Sequence, residues 1–179
     1  MNLAMKKSLL ALILFGLATL PLLSCATRPT LPGGDAPYFN WIQPSTPESS
    51  LTGKAYFWPD PSGESVRIKI MLTGAVPEKE YFAHIHEKGG CADEALAAGN
   101  IFSPADSFLG FETKQSGLLA KIESNADGTA AFEGQYEQFS LTRSSIAGKS
   151  IVISEDKNAQ VRSGCAVIPV PPPANASAN

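Results

Sequence analysis

The chain has 179 residues, with 14 Lys and Arg against 17 Asp and Glu, a formal net charge of −3 and no basic cluster. A mildly acidic protein of this kind is a poor match for a phosphate backbone, so nucleic acid is excluded as a partner. Two histidines and three cysteines set the bounds on any metal or thiol chemistry.

The N-terminus begins with a basic pair, Lys6 and Lys7, followed by an apolar run from Ser8 to Leu23 interrupted by Pro21. That run is shorter than the ~20 residues a spanning helix needs, and its order of segments is that of an export signal. It ends in Leu22-Leu23-Ser24-Cys25, which resembles a bacterial lipobox, in which the cysteine is diacylated and becomes the first mature residue. The expectation is a lipoprotein signal peptide over residues 1–24 and a lipid anchor on Cys25. An ordinary signal peptide with a chance cysteine is the alternative. Ala26, not Asp, follows the cysteine, which favours the outer membrane, facing the periplasm of a bacterial cell envelope. Removing 1–24 leaves 155 residues, the size of one domain, and takes the formal charge from −3 to −5.

With Cys25 assigned to lipid, Cys91 and Cys165 remain in an exported, oxidising compartment and are free to pair. A bridge over so long a loop restricts the unfolded chain by roughly 4–5 kcal/mol. Residues 25–50 are rich in proline and read as a tether, with Tyr38, Phe39 and Trp41 able to dock on the domain as an edge strand. Residues 170–179 read as a disordered tail. Asn175-Ala176-Ser177 is a chance sequon on that tail.

Between these ends, strand signals dominate. Val66 to Ile70 alternates apolar and charged residues. Pro77-Glu78-Lys79 makes a turn, and Tyr81 to His86 resumes the extended pattern. Lys54 to Trp58, Leu118 to Ile122, Thr129 to Phe132 and Ser150 to Ile153 read likewise, separated by Gly, Pro, Asn and Asp. Asp93 to Ala98 hints at a helical turn. Short strands at this spacing predict an all-β sandwich or Greek-key barrel of about eight strands over 51–169.

His84-Ile85-His86-Glu87 is the segment with the most chemistry. Alternation puts both imidazoles on one face of a strand, close enough to share an ion such as copper. Alone, His-x-His is a weak signal, and two solvent-facing histidines are its commoner explanation, because a divalent site wants three or four protein ligands. Around Asn125-Ala126-Asp127-Gly128, Glu123 and Gly134 stand where a calcium loop needs an Asp and a bidentate carboxylate, so the segment reads as a hairpin turn. There is no nucleophile elbow, phosphate loop or His-Glu-x-x-His.

In series, these features resemble the copper–zinc superoxide dismutase family over about residues 51–169. His84-Ile85-His86-Glu87 resembles the family's H-x-H-E, which supplies two copper ligands. Gly90-Cys91, Ala98-Gly99, Phe102 and Pro104 follow its disulfide loop, and Gly117-Leu118-Leu119 with Ala126 to Ala130 follows its next segment and hairpin. Gly148 to Glu155 matches the strand that ends in a further copper histidine and a glutamate. Arg162 falls on the anion-guiding arginine, and Cys165-Ala166-Val167-Ile168 on the closing strand with the second disulfide cysteine. The resemblance therefore implies a Greek-key barrel with a Cys91–Cys165 bridge.

It also implies a centre that this chain does not complete. The bridging histidine falls on Ile101, the last copper histidine on Ser154 and the zinc aspartate on Leu118, while the segment from Pro104 to Gly117 has no histidine. Apolar residues at 101 and 118 suggest that packing has filled the emptied site. Met71 is the one methionine after signal removal, so no methionine cluster replaces the ligands. The reading is a non-catalytic, dismutase-like envelope lipoprotein, an interaction or structural domain without zinc. The alternative is a low-affinity copper storage or transfer module on His84 and His86, its shell completed by Glu87, a homodimer or an envelope partner. Residual dismutase activity ranks third.

Overall fold

The computed structural model describes residues 36–103, 117–142 and 146–172. The export segment, Cys25, the histidine-free stretch 104–116 and residues 173–179 of the expected tail lie outside the described residues. Eight strands follow one another in the chain: β1 (Tyr38–Pro44), β2 (Thr52–Pro59), β3 (Val66–Thr73), β4 (Glu80–His86), β5 (Leu118–Glu123), β6 (Ala130–Tyr136), β7 (Ser150–Ser154) and β8 (Arg162–Val167). They form one antiparallel sheet in the order β5-β4-β7-β8-β1-β2-β3-β6. The Tyr136 hydroxyl of β6 donates to the Leu119 carbonyl of β5 at 2.6 Å and brings the two ends of the sheet together. The result is the Greek-key barrel expected from the sequence.

Alternation explains each wall. In β3, Val66, Ile68, Ile70 and Leu72 point inward and are buried, while Arg67, Lys69, Met71 and Thr73 point outward. Together with Phe57, Tyr81, Ile85, Phe139, Ile151 and Ile153, the inward set makes one continuous core. Each such side chain contributes about 1.5–3 kcal/mol when taken out of water. The Asn125–Gly128 segment joins β5 to β6 as a tight turn, with Gly128 at φ 75° and its N–H on the Asn125 carbonyl at 3.0 Å, although the two strands lie at opposite ends of the sheet order and do not pair as a hairpin. The helical hint at 93–98 is a single 3-10 turn, Leu96–Ala98.

One boundary differs from the sequence reading, which makes residues 25–50 a tether with the aromatic cluster at most an edge strand. In the structure β1 is an interior strand, paired with β2 along Tyr38–Ile42 and with β8 at Gln43 and Pro44. Ile42 enters the core and the barrel starts at Tyr38.

The two halves of the outer surface differ. Behind β4, β7 and β8 the segment from Glu87 to Phe102 folds over the sheet, so all five residues of β7 are buried. Ala95, Ala98, Val152 and Cys165 form a small second core beneath it. The outer face of β1, β2 and β3 carries exposed Phe39, Trp41 and Met71.

Candidate functional site

The site lies under the Glu87–Phe102 segment. β4 directs Phe82, His84 and His86 to the outer face and Ile85 into the core. The two imidazoles stand edge to face, centroids 6.4 Å apart, and Phe82 stacks on His84 at 6.4 Å. They do not face solvent, as the commoner explanation of the motif has it: His84 is 1 % and His86 0 % exposed. The covering loop, which alternation does not report, buries them.

His86 has a defined tautomer. Its Nδ1 lies 2.9 Å from the Gly99 carbonyl, and only a protonated nitrogen can donate there. Nε2 is thus left with a lone pair that is buried and has no hydrogen-bond partner. An orphaned buried acceptor costs about 1–3 kcal/mol. His84 Nδ1 lies 3.5 Å from the Ser154 hydroxyl, which donates to the Asp156 carbonyl at 2.8 Å. Burial, reinforced by His86, lowers the His84 pKa to about 4, opposed by the Lys157 backbone and by Asp156. Burial also holds the His86 pKa below its ordinary value, with the nearby Arg162 charge acting in the same sense. Both rings are neutral at pH 7.

Arg162 anchors the cover. Its Nε donates to Ala159 at 3.0 Å, Nη1 to Ala95 at 2.5 Å and Nη2 to Gly99 at 3.2 Å, all backbone carbonyls. Asp93, Glu94 and Ala95 all have positive φ. For such residues the left-handed region costs roughly 1–2 kcal/mol apiece, so the run persists only because its surroundings hold it. The Cys91–Cys165 disulfide, Cα atoms 5.7 Å apart, fastens the same segment to β8. Beside it is a cleft of about 300 Å³ whose lining includes Arg162, Glu48, Glu94 and Glu155 but neither histidine.

The sequence missed Gly99 as a shared acceptor, and also the ion pair of Lys79 with Glu155, whose other carboxylate oxygen accepts from Ser163 at 2.8 Å. Lys79 holds the Glu155 pKa below the usual carboxylate range. A charged pair so distant in sequence leaves no local pattern to read.

The other expected positions diverge. Ile101 bridges His86 through the backbone and is partly buried. Leu118, read as filling the emptied site, instead leaves 43 % of its surface exposed. It starts β5 on the outward phase, and Leu119 takes the inward one. The hydrophobic-filling expectation is therefore corrected at Leu118. Among the described residues no group of three or more His, Cys, Asp or Glu side chains is placed to hold a metal ion.

Residues 51–169 match the family model described as copper/zinc superoxide dismutase (SODC). The chain belongs to the copper/zinc superoxide dismutase family. It is 32 % identical over 114 residues to "Superoxide dismutase [Cu-Zn]" of Onchocerca volvulus, covering 61 % of this chain and 71 % of that one. It is also 32 % identical over 108 residues to "Extracellular superoxide dismutase [Cu-Zn]" of Caenorhabditis elegans, covering 54 % and 45 %. For the copper–zinc pair that gives the family its name, the donors among the described residues do not make up a full set. A structural zinc wants four ligands, and Ile101 and Leu118 offer no side-chain donor. What the site does offer is one orphaned imidazole nitrogen, a second imidazole and a hydroxyl already engaged with backbone.

Proposed function

We propose that this protein is a non-catalytic member of the copper/zinc superoxide dismutase family, an interaction or structural domain held in the bacterial cell envelope by lipid on Cys25. The observation that carries the reading is the donor count: two histidines in the whole chain, with Ser154, Ile101 and Leu118 at the positions where the family resemblance implies further ligands. Copper that cycles between two oxidation states needs a fixed ligand set whose geometry serves both. A shared barrel does not restore chemistry whose side chains are gone. Arg162 supports the same reading, because its guanidinium is spent on three backbone carbonyls and the cleft it lines also carries three carboxylates, which repel an incoming anion.

A second reading, a copper storage or transfer module, draws on the buried and unpartnered His86 Nε2, whose tautomer is the one a metal ligand needs. Metal analysis, copper titration and a dismutase assay on one preparation separate the two. The expected result is no zinc, weak copper stripped by chelator and no dismutase rate above that of free copper ion. Stoichiometric copper retained through chelator dialysis, and lost in His86→Ala, replaces the first reading with the second. A copper-dependent rate near the diffusion limit removes both.

A further inference from the structure

We propose that the outer face of β1, β2 and β3 is a lipid-docking surface that lays the barrel flat on an anionic phospholipid bilayer. Four aromatic rings stand on this face. Phe39 packs on Tyr56 with centroids 5.9 Å apart, and Tyr56 stacks on Trp58 at 5.9 Å. Phe39 and Trp41 leave 50 % and 53 % of their surfaces exposed, and Met71 leaves 46 %.

Cations are interleaved with the rings. Lys54 Nζ sits 4.1 Å from the centroid of Trp41, and the Arg67 guanidinium lies 4.3 Å over Trp58. Lys69 and Arg67 share one carboxylate, Glu133, at 3.4 Å each. Three cations against one carboxylate make this face positive on a chain whose net charge is −3. Trp and Tyr rings beside Lys and Arg form the combination that sits at headgroup level, with the ring in the acyl boundary and the charge on phosphate.

The start of the barrel supplies the second argument. β1 carries Phe39 and Trp41 and is the first strand among the described residues, which begin at Ala36, only eleven positions beyond Cys25. Even fully extended, such a link reaches at most roughly 40 Å. This step rests on the lipid-anchor reading above. The diacylated cysteine is itself a two-chain anchor, and so short a link keeps the aromatic and basic face within reach of the headgroups.

Trp41 and Trp58 are the only tryptophans in the chain, so intrinsic fluorescence reports on this face directly. The mature protein, purified from membranes, is reconstituted into phosphatidylethanolamine–phosphatidylglycerol vesicles carrying brominated acyl chains, with phosphatidylcholine vesicles as the neutral comparison. Emission is expected to shift to the blue and to be quenched in the anionic vesicles, and to recover in high salt. Lys54→Gln, with unchanged circular dichroism, is expected to lower the docked-to-free ratio about fivefold. Equal emission and quenching in both vesicle types overturns the proposal. So does a blue shift that grows with protein concentration without lipid, the signature of a second copy on this face, or one produced by cell-wall glycan alone. If mass spectrometry finds Cys25 unmodified, the anchor reading fails by itself. Quenching on adding anionic vesicles to the unacylated protein still supports the face, and its absence overturns it.

Discussion

The imidazole of His86 and the guanidinium of Arg162 meet on one acceptor, the Gly99 carbonyl, at 2.9 Å from Nδ1 and 3.2 Å from Nη2. One oxygen thus fixes the tautomer of a ring on β4 and the position of an arginine on β8. The shared acceptor ties the Glu87–Phe102 loop to the sheet.

Arg162→Ala is expected to destabilise the fold by about 2–3 kcal/mol, because three charge-assisted bonds disappear and the left-handed run at Asp93–Ala95 loses its clamp. Arg162→Lys should recover less than half of this, since a single ammonium nitrogen cannot span the three carbonyls that Nε, Nη1 and Nη2 reach separately. Urea midpoints would measure both. A loss under ~0.5 kcal/mol in the alanine variant, the range of ordinary surface substitutions, would return Arg162 to the role of a free surface charge.

How far the sequence can be read depends on the range of the interactions. β3 is legible because Val66, Ile68 and Ile70 alternate with charged neighbours, and that period is set by one strand alone. β1 is half hidden: Tyr38 and Ile42 face inward while Phe39 and Trp41 face outward, so apolar residues on both sides blur the period, and the prolines around it suggest a tether. The histidine pair and its shared face follow from the sequence, but its burial does not. That burial depends on contacts from Arg162 to residues 63 and 67 positions away and on a disulfide spanning 74. Leu118 is misassigned by resemblance to a ligand position, whereas the phase of β5 decides which way it points.

Acid should destabilise the protein in a defined window. The folded-state pKa of His84 is about 4 against an ordinary 6.5. Above pH 6.5 the ring is neutral in both states and stability is complete. As pH falls, the unfolded chain binds the proton first, so stability declines between about 6.5 and about 4 and levels off below. A shift of this size corresponds to roughly 3 kcal/mol, and His86, also depressed, adds in the same direction. Denaturant midpoints at pH 7, 5.5 and 4 would trace the loss, and His84→Gln should flatten it. An unchanged slope in that variant would assign the acid sensitivity to carboxylates such as Glu155 instead.

Breaking the Cys91–Cys165 bridge has a thermodynamic and a local consequence. Its sequence separation of 74 predicts a loss of about 4 kcal/mol for the Cys91→Ala, Cys165→Ala pair in the chain-entropy model. Freeing one end of the cover should also let water reach His84 and His86, moving their pKa values back toward 6.5 and shrinking the acid step just described. Calorimetry with and without reductant gives the first quantity, and NMR titration of the ring protons gives the second. A full acid step in the bridgeless variant would mean that Arg162 alone keeps the histidines dry.

The mature protein is expected to begin at Cys25 and to carry lipid. The basic pair Lys6 and Lys7, an apolar run too short to span a bilayer and Leu22-Leu23-Ser24-Cys25 together form the export and acylation pattern, while Cys91 and Cys165 are already paired with each other. That pairing leaves Cys25 as the one thiol available for acylation. Intact mass should therefore exceed that of residues 25–179 by the weight of its acyl groups, and the protein should enter the detergent phase on partitioning. Cys25→Ser should remain unacylated and keep residues 1–24, because processing awaits the lipid. A wild-type mass equal to the bare chain, together with recovery in the aqueous phase, would show an ordinary exported protein and leave the anchoring claim without support.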